Sequence, residues 1–467
     1  MHLLIRAVVS CCAAMSVVVL PSETVRAATP TVVSMPGGEF LWPQFRGPGG
    51  EGIVAQTGLP LEWSETKNIV WKVPVAGLGW SSAVIQGNQV WITTAVELPM
   101  PPAAAAATPA APVPAAPAAA TPPKTEGDAS PAPAPKPADV YPPISLRAIC
   151  LDRESGKTIH DVEIFQIENP GRIHKKNSHA SPTAVIDGDR IFLHFGKHGT
   201  ACITTDGKIV WKMRELIYDH RHGPGGSPVV YGDLLLLSCD GTDVQFVVAL
   251  DKATGAIRWK TSREGRMAYT TPLLVEIDGV TQLISSGGDG VMGYEPATGK
   301  ELWKCKYDGY SLVPRPVVGH GMTYICTGYD NPGLVAVRLG GSGDVTATHL
   351  AWEIKKTYAP RNASPILVGG ELYMASDNGI GTCVDAKTGE TIWQERLGGN
   401  FSASLLLADG RIYMLDEDGR CLVIAPGKEY KLLAENLVEG RTLASLSVAG
   451  KSFFLRTDTH LYRIEQK

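Results

Sequence analysis

The feature that most constrains this chain is a unit that returns about every 40 to 50 residues along most of its length. Its clearest copy runs from Asn362 to Gln394. Ser364-Pro365 opens an apolar run, Ile366-Leu367-Val368, which Gly369-Gly370 turns back into Glu371-Leu372-Tyr373-Met374. Asp377-Asn378-Gly379 makes a second turn. A third strand, Gly381 to Asp385, ends at Lys387-Thr388-Gly389, where a glycine takes the positive φ of a tight turn before the strand that carries Trp393. Four strands and three tight turns make one small antiparallel sheet. Such a sheet cannot bury both of its faces alone, so it is stable only when copies stack face to face.

The copies are present. Their first strands are marked by Ser82-Ala83, Ser181-Pro182, Ser227-Pro228, Thr271-Pro272, Arg315-Pro316, Ser364-Pro365, Ser404-Leu405 and Ser445-Leu446. A tryptophan closes the fourth strand at Trp211, Trp259, Trp303, Trp352 and Trp393, and a Thr/Ser-Gly turn recurs at Ser155-Gly156, Thr254-Gly255, Thr298-Gly299 and Thr388-Gly389. This is the period of propeller blades, and eight landmarks predict an all-β, eight-bladed β-propeller of four-stranded antiparallel blades. The final repeat, Ala444 to Ile464, lacks a fourth strand, whereas Asn68 to Val73 reads as a fourth strand placed before the first landmark. Pairing the two closes the ring and removes open sheet edges. With 50 Gly and 34 Pro and no long 3.6-residue apolar period, helix is expected to be scarce.

Residues 1–27 have the charged, apolar and small-residue order of a secretory signal, ending in Val25-Arg26-Ala27. Their apolar run is shorter than the ~20 residues that span a bilayer, which favours export over anchoring. Val8-Val9-Ser10-Cys11 resembles a lipidation box but lies inside the apolar run. Residues 28–60, with the aromatic and Gly/Pro-rich stretch Trp42 to Gly50, read as an irregular arm wrapping over a propeller that occupies 61–467. Residues 98–143, rich in Ala, Pro and Thr, interrupt the first blade and are expected to be a disordered spacer on the face of the blade-connecting loops. Cleavage after Ala27 leaves seven cysteines, among which no CxxC occurs; Cys150, Cys202, Cys383 and Cys421 fall on third strands, where a cysteine serves as a small buried hydrophobe.

The repeat, best kept from Ser364 to Trp393 and less fully from Ser227 to Trp259, resembles the pyrroloquinoline-quinone-like (PQQ-like) β-propeller repeat over nearly the whole expected mature chain. That resemblance implies the fold, whereas its members include quinoprotein alcohol dehydrogenases, BamB-like outer-membrane assembly factors and other envelope proteins. In the quinoprotein members it implies a quinone stacked between a tryptophan and a ring of adjacent disulfide-bonded cysteines, a calcium ion held by Glu, Asn and Asp, and an Asp base. The expected mature chain has no adjacent cysteine pair. No cofactor is therefore expected, and PQQ with calcium belongs to the alternative reading, a quinoprotein-dehydrogenase-like oxidoreductase.

The net charge is −4 and basic runs are confined to Lys175-Lys176 and Lys355-Lys356, so nucleic acid is not an expected partner. The densest polar cluster is His174, Lys175, Lys176, His179, His220, Arg221 and His222, ahead of the second and third blades; His and Arg there supply donors for an anion, and His can ligate metals. No acidic residue stands at a known ligand spacing, so no metal site is assigned. Tyr310, Arg315, Arg361 and Asn362 occupy equivalent connecting-loop positions. No G-x-S-x-G elbow occurs and no catalytic residue is assigned. The sequence thus points to an exported, non-catalytic binding or scaffold propeller of the bacterial envelope, BamB-like in outer-membrane protein assembly. Its partner is expected to be an envelope protein or anionic ligand at the mouth of the channel.

Overall fold

Hairpin follows hairpin around a ring in the computed structural model, which describes residues 30–38, 41–100, 140–330, 332–355 and 358–467. The expected leader, 1–27, and most of the 98–143 insert lie outside the described residues. Eight sheets, each built on four antiparallel strands, form an eight-bladed β-propeller. The innermost strands are Val84–Gln86, Val185–Asp187, Val229–Tyr231, Leu273–Ile277, Val317–Gly319, Ile366–Val368, Leu406–Ala408 and Ser447–Ala449, for blades 1 to 8 in turn. In blade 6 the register Ile366 to Tyr373 to Cys383 to Trp393 runs across all four strands. The last blade takes its outer strand from the other end of the propeller sequence: Ile69–Pro74 pairs with His460–Glu465, Lys72 opposite Tyr462. Helix among the described residues is limited to two single turns, Gly196–His198 and Thr346–His349.

Between blades, the recurring tryptophan and the recurring glycine turn prove to be two halves of one contact. Trp211 Nε1 donates to the Lys252 carbonyl of the next blade at 2.8 Å, Trp352 Nε1 to that of Ala386 at 3.2 Å, and Trp393 Nε1 to that of Gly427 at 3.1 Å. Trp71 of the closing strand does the same to Arg153 at 2.9 Å. The indole lies on the glycine turn: a Cβ at Gly255 would meet the Trp211 ring at 2.6 Å, and one at Gly389 the Trp352 ring at 2.8 Å, both glycines having φ near 76°. The turn itself is built by an aspartate whose Oδ1 accepts the amide and hydroxyl of the Thr, as Asp251 does from Thr254 and Asp385 from Thr388. Blade 4 departs from this pattern, because Trp303 is fully buried and bonds Gln282 of its own sheet at 2.8 Å.

Around the axis the Ser/Thr landmarks make a second set of contacts. The amide of Ser82 donates to Thr183 Oγ1, Thr183 to Ser227 Oγ, and Ser227 to Thr271 Oγ1; Arg315 donates to Ser364 Oγ, Ser364 to Ser404 Oγ, and Ser404 to Ser445 Oγ, all at 2.9 to 3.0 Å. In blade 2 the residue in this ring is Thr183, two positions after the Ser181 landmark read from the sequence. The proline that follows the ring residue in blades 3 to 6 has no amide to leave unpaired at the channel edge.

The expected arm is described over 30–38 and 41–60. It runs along the inner edges of the blades, where unpaired strand groups face the axis. Pro30–Val32 pairs with Leu273–Ile277 of blade 4, Leu41–Trp42 with Val84–Gln86 of blade 1, and Ile53 bridges Leu407 of blade 7. Trp42 is buried against Gly47, whose Cβ position is 2.9 Å from the ring.

The blade-to-blade contact makes a direct prediction. Gly255→Ala should lower stability by about 2 kcal/mol, since the methyl meets the Trp211 ring at a positive φ. A urea midpoint equal to the parent's would show that the ring does not rest on this turn.

Candidate functional site

The loops that connect one blade to the next converge on one face around a cavity of about 610 Å³, to which every blade contributes. Its inner end carries the hydroxyl ring, with Ser82, Thr183, Ser227, Thr271, Ser404 and Ser445, and Phe45 from the arm. Its wall carries aromatic rings, Trp80, Tyr269, Tyr310 and Tyr329, together with His174, Arg221, His222 and Arg361. Cations sit on several of these rings, Arg361 over Tyr329 at 5.2 Å, Arg266 over Tyr310 at 4.7 Å and Arg441 over Trp80 at 5.8 Å. Arg361 also donates from Nε to the Tyr329 carbonyl at 2.9 Å, and Tyr310 donates to Asp330 at 2.6 Å. Asp377 holds the blade 6 loop, accepting the Arg361 amide at 2.7 Å on one oxygen and Asn362 Nδ2 on the other. Lys176 is paired with Glu417 at 2.7 Å. Arg221 and Arg361 have no carboxylate partner among the described residues.

The structure divides the residues singled out from sequence. His174, Arg221, His222, Tyr310, Arg361 and Asn362 line the cavity together. Arg315 does not. It occupies the hydroxyl-ring position of blade 5, and its guanidinium, 2% exposed, turns into the protein. There Nε and Nη2 donate to the Pro272 carbonyl at 3.1 and 2.8 Å, and Nη1 to those of Phe45 and Gly50 at 3.1 and 3.2 Å. Burial, then repulsion from Arg46, lowers its pKa to about 9, which leaves it charged at neutral pH. Arg315 therefore ties blade 5 to blade 4 and to the arm, and offers nothing to a ligand at the mouth.

His179 and His220 are also interior. They join His198 and His194, which the sequence had not marked, in a buried group between the blade 2 and blade 3 loops. His198 Nε2 lies 3.2 Å from His179 Nδ1, the rings of His198 and His220 are 5.3 Å apart, and His194 reaches Thr200 Oγ1 at 2.9 Å and the Tyr218 hydroxyl at 3.4 Å. Desolvation holds all four neutral, pulling His179 and His194 to about 4, His198 to about 3 and His220 to about 2. Among the described residues no three His, Cys, Asp or Glu are arranged to hold a metal ion. The seven cysteines among the described residues are all single and buried, with burial pushing Cys150 up to about 12 and Cys202 to about 11.

The sequence had treated Asp377 as a turn former and passed over Trp80, Tyr269, Tyr329 and Phe45. Position within the repeat could have found the first four, since each sits on a connecting loop or a second-to-third-strand turn of the same face. Phe45 carries no such signal, because its place depends on the path of the arm.

Fold and cavity together define an eight-bladed propeller with a loop-built pocket at one mouth of its axis. The family model described as outer membrane protein assembly factor BamB matches residues 147–345 and 341–428, more than half of the chain, and the chain belongs to this family of PQQ-like propellers. A curated relative, the outer membrane protein assembly factor BamB of Yersinia pestis, is 25% identical over 193 residues, covering 39% of this chain and 47% of the relative, so the match spans about half of that protein. Among solved structures, a europium-containing methanol dehydrogenase has a TM-score of 0.55 at 10% identity, covering 90% of this chain and 89% of its own. A quinohemoprotein alcohol dehydrogenase from Comamonas testosteroni has 0.53 at 8%, covering 91% and 81%. At these identities the two enzymes share the fold alone. Among the described residues the cavity's donors do not fit a calcium-bound quinone: Asp377 is the one carboxylate in the lining, both of its oxygens are already engaged, and no cysteine lines the wall.

Two predictions follow from the interior groups. Arg315→Ala orphans three buried carbonyls and should cost about 3 kcal/mol, measured by denaturant unfolding, whereas Arg361→Ala should cost less than about 1 kcal/mol. The histidine group should make the fold acid-labile. Each folded-state pKa lies below the unfolded value of about 6.5, so the stabilisation is complete above that pH and is lost as pH falls from about 6.5 toward 4. Each proton bound only by the unfolded chain steepens the loss by about 1.4 kcal/mol per pH unit. Urea midpoints taken at pH 7.5, 6 and 5 should fall accordingly, and less steeply in His194→Asn; identical profiles for the two proteins would contradict a neutral His194.

Proposed function

We propose that this chain is an exported, non-catalytic propeller that serves as a binding or scaffold module in the bacterial envelope, in outer-membrane protein assembly, with the loop-built pocket as its docking face. The observation that carries the reading is the composition of that wall. Tyr, Trp and Arg are the residues that dominate binding energy at protein interfaces, and here Trp80, Tyr269, Tyr329, Arg221 and Arg361 are gathered from five blades around one concavity. The signal-like residues 1–27 support export, and the name of the Yersinia relative supports the process. Among the described residues no helix is long and apolar enough to cross a membrane.

The experiment is a strain lacking this chain, with the β-barrel content of its outer membrane measured by quantitative proteomics. Content should fall in the deletion strain, return with the parent chain, and return only in part with Tyr329→Ala/Arg361→Ala. Unchanged content, or dye reduction by purified protein given pyrroloquinoline quinone, calcium and an alcohol, would overturn the proposal.

A further inference from the structure

The pocket wall is not chemically uniform, and its blade 2 and blade 3 side has an excess of positive charge held in a fixed geometry. The loops 171–177 and 219–225 are locked side by side: the His174 amide donates to the His222 carbonyl at 3.1 Å, and Asn177 Nδ2 to the carbonyls of His222 and Pro224 at 2.8 and 3.1 Å. The two imidazoles therefore stand edge to face, 5.8 Å apart. His174 Nδ1 accepts the Lys176 amide at 3.3 Å, so the neutral ring carries its proton on Nε2 and has a donor to offer. His222 rests on Tyr269, 6.1 Å between centroids.

The charges facing this pair come from every neighbouring element. Arg172, Lys175 and Lys176 act on His174 from its own loop; His174, Arg221 and Arg172 act on His222, with Asp219 opposing them. Of these, Lys176 is already neutralised by Glu417, and Asp219 is shared with Thr242 and Lys197. Arg441 of the blade 8 loop donates to the Lys175 carbonyl at 3.3 Å. Arg172, Lys175 and Arg221 remain without a carboxylate among the described residues. A divalent cation would be repelled here, whereas a carboxylate would be attracted by charge and met by directed N–H groups.

We propose that the wall formed by His174, Arg221 and His222 is a carboxylate subsite that takes an acidic side chain of a partner polypeptide and takes up a proton as it does so. This rests on the pocket face being the docking face. On the same cavity wall the Tyr329 ring, 54% exposed, gives an apolar surface for the residues that flank the acid, which a free small anion would not use. Both rings are held below the usual histidine value, first by burial and then by the surrounding positive groups; an arriving carboxylate reverses the second effect and favours the charged form of His222, while His174, its Nδ1 engaged by the Lys176 amide, donates from Nε2 as the neutral ring. By linkage the affinity must then rise as pH falls from 7.5 through the histidine range, and level off once His222 is charged in the free protein. Glutamates of the partner stay ionised down to about pH 5.

The test uses the full-length chain and a fluorescein-labelled peptide of alternating Glu and Leu, with its Gln/Leu counterpart, citrate and inorganic phosphate as comparisons. The acidic peptide should bind about fivefold or more tightly at pH 5.5 than at 7.5, and the Gln/Leu peptide should not bind. His174→Gln/His222→Gln should flatten this pH dependence, and Arg221→Ala should weaken binding at both pH values, with melting temperatures unchanged. A pH dependence that survives the double substitution, or citrate or phosphate binding as tightly as the peptide, would overturn the subsite. A β-barrel content independent of the chain, with the peptide profile intact, would remove the assembly role and leave the subsite standing. A flat profile in a chain that restores β-barrel content would do the reverse.

Discussion

Everything around the axis depends on how one backbone amide per blade finds a partner. The residue two positions before each inner strand has left its own sheet, so its N–H points toward the neighbouring blade, where an unpaired buried donor would cost about 1 to 3 kcal/mol. A hydroxyl at the same position of the next blade accepts it. Thr183, Ser227, Ser364 and Ser404 each donate an amide and lend a hydroxyl, so the bonds form one chain from Ser82 through Thr271 and another from Arg315 through Ser445. The two interruptions are bridged differently. Arg315 has no hydroxyl to give Thr271, and its guanidinium reaches back to the Pro272 carbonyl instead; at the closure of the ring, Ser447 Oγ donates to the Ala83 carbonyl at 2.8 Å.

This inner ring and the outer tryptophan contacts fix each blade at two radii, which is why short sheets with little core of their own hold a common orientation. The arm adds a third constraint. By pairing with inner strands of blades 1, 4 and 7 it occupies the space that would otherwise be an open channel, and Arg46 and Arg315 fasten it by bonds to Pro365, Phe45 and Gly50. Glu51 is the carboxylate between these two guanidiniums; burial raises its pKa while both cations lower it. The arm also reaches the pocket, where Phe45 forms part of the lining.

The number of blades and the strand that closes the ring were legible because both follow from a period and from edges that must be covered, which are properties of pattern. The identity of the ring residue in blade 2 was not, since Ser181-Pro182 matches the local motif better than Thr183-Ala184 although only Thr183 has the spacing to its strand that the other blades share. Local likeness misled where distance to the strand would have decided. The path of the arm was hidden for another reason: a stretch such as Trp42 to Gly50 declares turns and aromatics, but which edges it meets depends on vacancies that exist only after the blades have assembled.

The same distance rule separates structural from surface cations at the mouth. Arg361 stands three residues before the ring residue Ser364, on the loop, and its guanidinium is free to lie on Tyr329; Arg315 is itself the ring residue, and its guanidinium has nowhere to go but inward. The histidines follow suit, although here the loop turns back on itself. His222, five residues before Ser227, meets the cavity, while His220, seven before it, packs under the blade 2 turn, where a Cβ at Gly196 would come within 2.2 Å of its ring. Residue type and loop position alone had grouped all four as candidates for an anionic ligand at the channel mouth. Their fates differ because the hydroxyl ring marks the boundary between backbone that must be satisfied from within and side chains that water or a partner can reach, and charge carried across that boundary is consumed in holding the fold.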